Sequence, residues 1–203
     1  MDEKRLQDAV TELLEALGEN PERDGLQGTP GRVSELFQGL YRGVGIDPAS
    51  VLEEARPLAE AEDQFGDFVA LRGIAFSSIC EHHLLPFRGV ADVGYEPSEK
   101  LVGLGILVDV VDIAASRPQM QERLGDMVAD ALVRSGVAKG SVVVLRAEHG
   151  CVQHRGPKLG ESETVTVATA GSLRAPDARR EALLSMGSAP SAGTDPTPQH
   201  ESR

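Results

Sequence analysis

The feature that most constrains this chain is the order in which its apolar spacing changes beyond residue 65. Residues 67–79 and 86–95 are rich in Val, Ile, Phe and Ala and read as strands, with the polar run Cys80-Glu81-His82-His83 between them. Two helices follow. Residues about 105–116 carry Ile106, Val110, Val111 and Ile113 at helical spacing, and 118–135 open with Pro118 in the first turn. Residues 140–149 and 162–170 return to a strand-like pattern. The order β-β-α-α-β-β predicts an α+β fold in which antiparallel hairpins carry helices on one face.

The first 64 residues read as a helical extension. Leu6, Val10, Leu13, Leu14 and Leu17 fall on one face over 4–18, and Gly18 is placed to end that helix. Thr29 as N-cap and Pro30 at the first helical position open a second helix through about Tyr41, with Val33, Leu36, Phe37 and Leu40 on one face. Residues 47–64 read as a short helix and a polar connection. The region 1–64 is small for a core of its own, so the principal domain spans 65–175. A last short helix is expected over 176–186. Residues 187–203 are rich in Pro, Ser, Gly and Thr without an aromatic, which predicts a disordered tail.

A formal net charge of −12 argues against nucleic-acid binding, because nothing would neutralise a phosphate backbone. A phosphorylated small molecule needs only a few local cations and stays compatible with that charge. No segment reaches the roughly 18 apolar residues of a membrane span, and MDEKRLQDAV lacks the apolar region of a signal peptide. A cytoplasmic protein without membrane partners is expected.

Chemistry-bearing residues concentrate in two places. Cys80-x-x-His83 sets two metal-capable side chains three residues apart, and His149-x-Cys151 ends another expected strand. Both cysteines and three of the five histidines lie in these clusters. Hairpin sheets bring distant strand ends together, so Cys80, His83 and Cys151 can form one zinc site. Three protein ligands leave a fourth tetrahedral position for water, whose pKa the ion would lower towards neutrality. His82 and His149 remain as candidate proton carriers. Two alternatives stand beside this reading: a Cys80–Cys151 disulfide, and a closed four-ligand site that also uses His82 or His149.

Five segments resemble the GTP cyclohydrolase I family: GLQGTPGRV (25–33), SICEHHLLPFRG (78–89), YEPSEKLVGL (95–104), RPQMQERL (117–124) and EHGCVQHRG (148–156). The resemblance covers about residues 5–186. It implies a tunnelling fold of β-β-α-α-β-β subunits joined into a ring-like homo-oligomer, usually a decamer. It also implies a reaction that opens the imidazole ring of GTP at C8, releases formate and yields 7,8-dihydroneopterin triphosphate. Carried over, Cys80, His83 and Cys151 match the zinc ligands, and His82 and His149 match the proton-transfer histidines. Glu122 matches the carboxylate that holds guanine, which suits a base offering N1–H and a 2-amino group side by side. Arg155 matches a triphosphate contact, and Arg32 is a further candidate from a neighbouring subunit.

The chain departs from the pattern after Gly103-Leu104. The family continues with Ser and Lys, and an Arg follows three positions after the Lys. Here those positions are Gly105, Ile106 and Asp109. Charge-assisted phosphate contacts are worth roughly 1.5–3 kcal/mol each, so losing two cations and adding a carboxylate weakens a triphosphate site unless Lys158, Lys100 or Arg88 compensates. Gly150 is a smaller departure, at a position where a bulkier residue is usual. Three readings follow: a GTP cyclohydrolase I, a relative acting on a guanine nucleotide with fewer phosphates or stopping after ring opening, and a non-catalytic zinc-binding regulatory subunit.

Overall fold

The computed structural model describes residues 1–57, 67–154 and 162–187. Helices α1 (Glu3–Ala16) and α2 (Thr29–Leu40) lead into a 3-10 helix, Pro48–Glu54. Strand β1 (Arg56–Pro57) pairs with β4 (Lys100–Leu101). Strands β2 (Val69–Cys80) and β3 (Pro86–Pro97) precede α3 (Leu104–Ala115), β5 (Pro118–Gln119) and α4 (Gln121–Arg134). The order ends with β6 (Ala138–His149), the four-residue helix α5 (Gly150–Gln153), β7 (Thr164–Gly171) and α6 (Pro176–Ser185). The mixed α+β class and the β-β-α-α-β-β core are as expected from spacing. The expected disordered tail lies, beyond Gly187, outside the described residues, as does the end of the 47–64 connection.

The main sheet has the order β5-β2-β3-β6-β7. Its four long strands are antiparallel, and only β5 runs parallel, to β2. Alternate residues of each strand face opposite sides. Val93, Tyr95, Val143 and Leu145 lie in one core cluster with Leu107, Val110 and Val111 of α3 and Leu124, Val128 and Leu132 of α4. Their β6 neighbours Val142 and Val144 pack on Ala182 and Met186 at α6. This double burial explains why β6 reads as an unbroken apolar run rather than an alternation.

Two expectations need correction. Thr29 is not the N-cap of α2: Gly28 holds that place without a side-chain bond, and Thr29 is already helical. Its hydroxyl accepts from Arg32 at 2.9 Å instead. Nor does Pro118 open α4. Pro118 and Gln119 extend beside Ile79 and Cys80 as a parallel strand, and α4 starts at Gln121 behind the extended N-cap Met120. Proline fixes φ near −65°, which suits an extended edge as well as a first helical turn.

The N-terminal helices join the body at a close backbone approach. Gly43 N–H donates to the Ser116 carbonyl at 2.9 Å, and a Cβ at Gly43 would stand 2.2 Å from the Ile113 carbonyl oxygen. Arg117 reaches back to the Ile46 carbonyl at 2.7 Å, and Arg42 pairs with Asp112.

Candidate metal centre and base-binding site

Sheet register brings the two chemistry-bearing clusters together. Cys80 is the last residue of β2, and the hairpin returns so that Ile79 faces Pro86. One residue on, Phe87 of β3 faces His149, the last residue of β6. Three adjacent strands therefore end together, and α5 carries Cys151 one short turn beyond His149.

The hairpin between β2 and β3 is tight. Cys80 N–H donates to the Leu85 carbonyl and Leu84 N–H to the Cys80 carbonyl, each at 2.8 Å. Closing it places Leu84 in the left-handed region at φ 53, the one non-glycine residue with positive φ among the described residues. His83 stands on this turn. Its Nδ1 lies 3.9 Å from Cys80 Sγ, and the donor atoms of Cys80, His83 and Cys151 all lie within 4.8 Å of one another. Zinc bonds of about 2.3 Å to sulfur and about 2.0 Å to nitrogen put tetrahedral S···N edges at about 3.6 Å. Two thiols and an imidazole at this spacing fit a zinc ion. Both sulfurs are buried while His83 is exposed, which leaves the site one solvent-facing side. Neither cysteine is disulfide-bonded.

His149 sits beside this triad in a fixed pose. Its ring stacks on Phe87 at 4.7 Å and 3°, and its Nε2 lies 2.7 Å from Gln121 Oε1. Burial lowers the His149 pKa, and the Glu122 carboxylate opposes that shift. Glu122 is exposed in the first turn of α4, where a carboxylate also suits the helix dipole. Arg123 pairs with Glu81, the residue after Cys80, and this hydrogen bond holds the Glu81 carboxyl below its ordinary range. Arg123 is thus engaged by Glu81, and Arg117 by the Ile46 and Ile113 carbonyls. His82 is exposed, with Nε2 4.0 Å from Glu81 and its ring edge-on to His83.

Spacing alone assigns no role to Gln121, which lies 2% exposed beneath His149. Its position is nonetheless readable: Gln121, Leu124, Val128 and Leu132 share the buried face of α4. A glutamine on an apolar stripe must find buried partners.

Other candidates stand apart. Arg32 donates to the Gly25 carbonyl at 3.0 Å and to Thr29, within its own helix start. Arg155 and Lys158 lie outside the described residues. Arg88 faces Glu148 across β3 and β6, and Lys100 lines a cavity with Asp47 and Glu53. Gly105 and Asp109 are exposed near the start of α3, a Cβ at Gly105 would meet nothing within 4 Å, and Ile106 packs against the core. Gly150 lies against β3, where a Cβ would stand 2.8 Å from the Pro86 carbonyl oxygen.

A profile described as GTP cyclohydrolase I matches residues 6–187. The chain belongs to the GTP cyclohydrolase I family. A GTP cyclohydrolase 1 of Leifsonia xyli subsp. xyli is 46% identical over 186 residues, covering 92% of this chain and 96% of that protein. One from Streptomyces avermitilis is 44% identical, covering 90% and 89%. One from Streptococcus pyogenes serotype M49 is 40% identical, covering 92% and 94%. The GTP cyclohydrolase I family assignment thus extends over both helical and sheet regions.

Proposed function

We propose that this chain is a zinc-dependent GTP cyclohydrolase I, which opens the guanine imidazole ring at C8 and releases that carbon as formate. The pterin ring then closes to give 7,8-dihydroneopterin triphosphate, with one water consumed overall. The observation that carries the proposal is the convergence of Cys80, His83 and Cys151 within 4.8 Å, beside His149, in a member of this family.

Cys80, His83 and Cys151 would hold the ion, which when bound supplies Lewis-acid activation of water near neutral pH. Glu122 accepts hydrogen bonds from guanine N1–H and the 2-amino group, so that C8 rather than another ring carbon is presented. Adenine lacks that donor pair. His149 moves protons between the attacking water and the purine nitrogens, and Phe87 and Gln121 hold its ring in place. His82, exposed on the same turn as His83, is the second proton carrier. Arg155 contacts the phosphates, with Arg32 contributed from a neighbouring subunit.

The sheet takes the tunnelling fold and closes into a ring with further copies. Strand β7 supports this, because it pairs only with β6 among the described residues and exposes Val165 and Val167. Light scattering of the purified protein at a monomer mass would contradict the ring.

A second reading concerns the phosphate end. Ile106, partly buried, packs against the core where the family carries lysine, and Asp109 places a carboxylate on the exposed face of the same helix. These two residues favour a guanine nucleotide with fewer phosphates. Incubating the zinc-loaded protein with GTP, GDP, GMP and guanosine, then measuring formate and oxidised neopterin fluorescence, separates the cases. Fastest turnover of GTP supports the first reading. Faster turnover of GMP or GDP establishes the second, and formate without pterin marks a reaction that stops after ring opening. No turnover of any of the four contradicts both.

A further inference from the structure

His149 is the ring whose proton transfer the proposed reaction needs, and Gln121 touches it from the buried side. The Gln121 amide nitrogen donates to the Leu145 carbonyl at 3.1 Å, the Thr164 carbonyl at 2.9 Å and the Thr166 hydroxyl at 3.2 Å. Its amide oxygen lies 2.7 Å from His149 Nε2. Amide nitrogen and oxygen are told apart by their partners, and here the partners decide. Two backbone carbonyls have no proton to give, so only the nitrogen can face them. Reversing the amide would set its oxygen against both carbonyl oxygens in a buried site, and both would lose a donor.

The oxygen therefore faces His149, and an amide oxygen only accepts. The proton of that contact must sit on His149 Nε2. We infer that Gln121 is a positioning residue that fixes neutral His149 as the Nε2–H tautomer, leaving the lone pair on Nδ1 as the ring's proton-accepting atom. This rests on the reading of His149 as a proton carrier.

The arrangement has a mechanistic consequence. Gln121 Oε1 occupies Nε2 while the amide nitrogen is held by the Leu145 and Thr164 carbonyls, so the ring is tied at Nε2 by a group that is itself anchored. The stacked Phe87 ring, 3° from coplanar with the imidazole, holds the plane in which Nδ1 works. Four hydrogen bonds on Gln121 and one stacked ring thus set the orientation of His149, which is the condition for a preorganised group. A leucine or methionine at position 121 would fill the same apolar face of α4, but would leave either tautomer open to the ring.

The test reads the tautomer directly. Zinc-loaded protein labelled with ¹⁵N-histidine is examined by solid-state NMR at alkaline pH, and the His149 signals are identified as those lost in His149→Gln. The expected pattern is a protonated Nε2 and a bare Nδ1. A protonated Nδ1 with bare Nε2 overturns the inference, and this measurement needs no Gln121 variant. In Gln121→Met the His149 signals should split between tautomers. Its kcat for GTP should fall about 100-fold, the lower range for a displaced acid–base group, with KM changed less than about 3-fold. A folded Gln121→Met with an unchanged tautomer also overturns it. If wild type opens no guanine ring, the proposed function fails while the ¹⁵N spectrum still decides the role of Gln121.

Discussion

Arg123 forks onto both carboxylate oxygens of Glu81, one of them at 3.0 Å, and so ties the first turn of α4 to the residue that follows Cys80. Cys80 and Glu122, the proposed metal ligand and the proposed guanine-binding carboxylate, are each one residue from this ion pair. An exposed pair of this kind contributes little to global stability, but it sets how the turn and the helix face each other. Arg123→Ala is expected to leave the thermal midpoint nearly unchanged. It should raise the zinc dissociation constant and the KM for GTP by roughly 10-fold each, the scale of losses from groups that orient metal ligands. Competition with a zinc chelator and steady-state kinetics check both.

The tight turn that positions His83 stores strain at Leu84. A non-glycine residue in the left-handed region costs roughly 1–2 kcal/mol, and a β-branched side chain there costs more. Leu84→Val should therefore destabilise the protein by about 1 kcal/mol further and weaken zinc binding through His83. Leu84→Gly relieves the strain but adds freedom to the unfolded chain, so its stability should stay within about 0.5 kcal/mol of wild type. Urea unfolding of the two variants separates them.

Acid stability has a defined contributor at Asp47. Its carboxylate accepts from both terminal nitrogens of Arg134, at 3.0 and 2.9 Å, and from the Ala49 N–H at 3.0 Å. The Arg134 bond, then the backbone bond, hold its pKa at about 2 against an ordinary 3.8. A depressed folded pKa means that the unfolded chain binds the proton first. The contribution is fully present above about pH 4 and is lost as the pH falls through about 2. The gap in urea midpoint between wild type and Asp47→Asn should be widest near neutral pH and close in that acid window. A gap independent of pH would contradict the assignment.

Metal removal should act on the site before the fold. Leu107, Val110, Leu124, Val128 and Leu145 belong to a large apolar core cluster in which Cys80 and Cys151 are only two of many members. Cys151→Ala should lose bound zinc, measured by elemental analysis, and all formate release. Its far-ultraviolet circular dichroism should match wild type. A zinc-free Cys151→Ala that still releases formate would contradict the ligand assignment.

Much of this arrangement could be read from spacing, and the exceptions have physical causes. β2, β3, β6 and β7 announce themselves through β-branched runs, and α1 and α3 through their three-to-four periodicity. The convergence of Cys80, His83 and Cys151 is legible as two clusters because hairpin ends meet, although only the pairing of Phe87 with His149 brings them into reach. β5 left no signal: two residues have no period, and Pro118 is equally at home in a first helical turn. Thr29 looked like a cap because of its type, whereas its hydroxyl serves Arg32. Gln121 carries no signal of its own, because a polar residue is ordinary on a helix until the helix's buried face is known. Ile106 was conspicuous only as a missing cation, and its packing against the core gives the apolar side chain a positive reason to be there.

The most direct test of the whole account follows the carbon between the two imidazole nitrogens. Zinc-loaded protein is given GTP labelled at C8, and the label is traced into formate alongside pterin fluorescence. Labelled formate in equal amount to pterin, absent after chelation and restored by zinc, is the predicted result. Label that stays in the purine, with zinc bound and the protein folded, would contradict it.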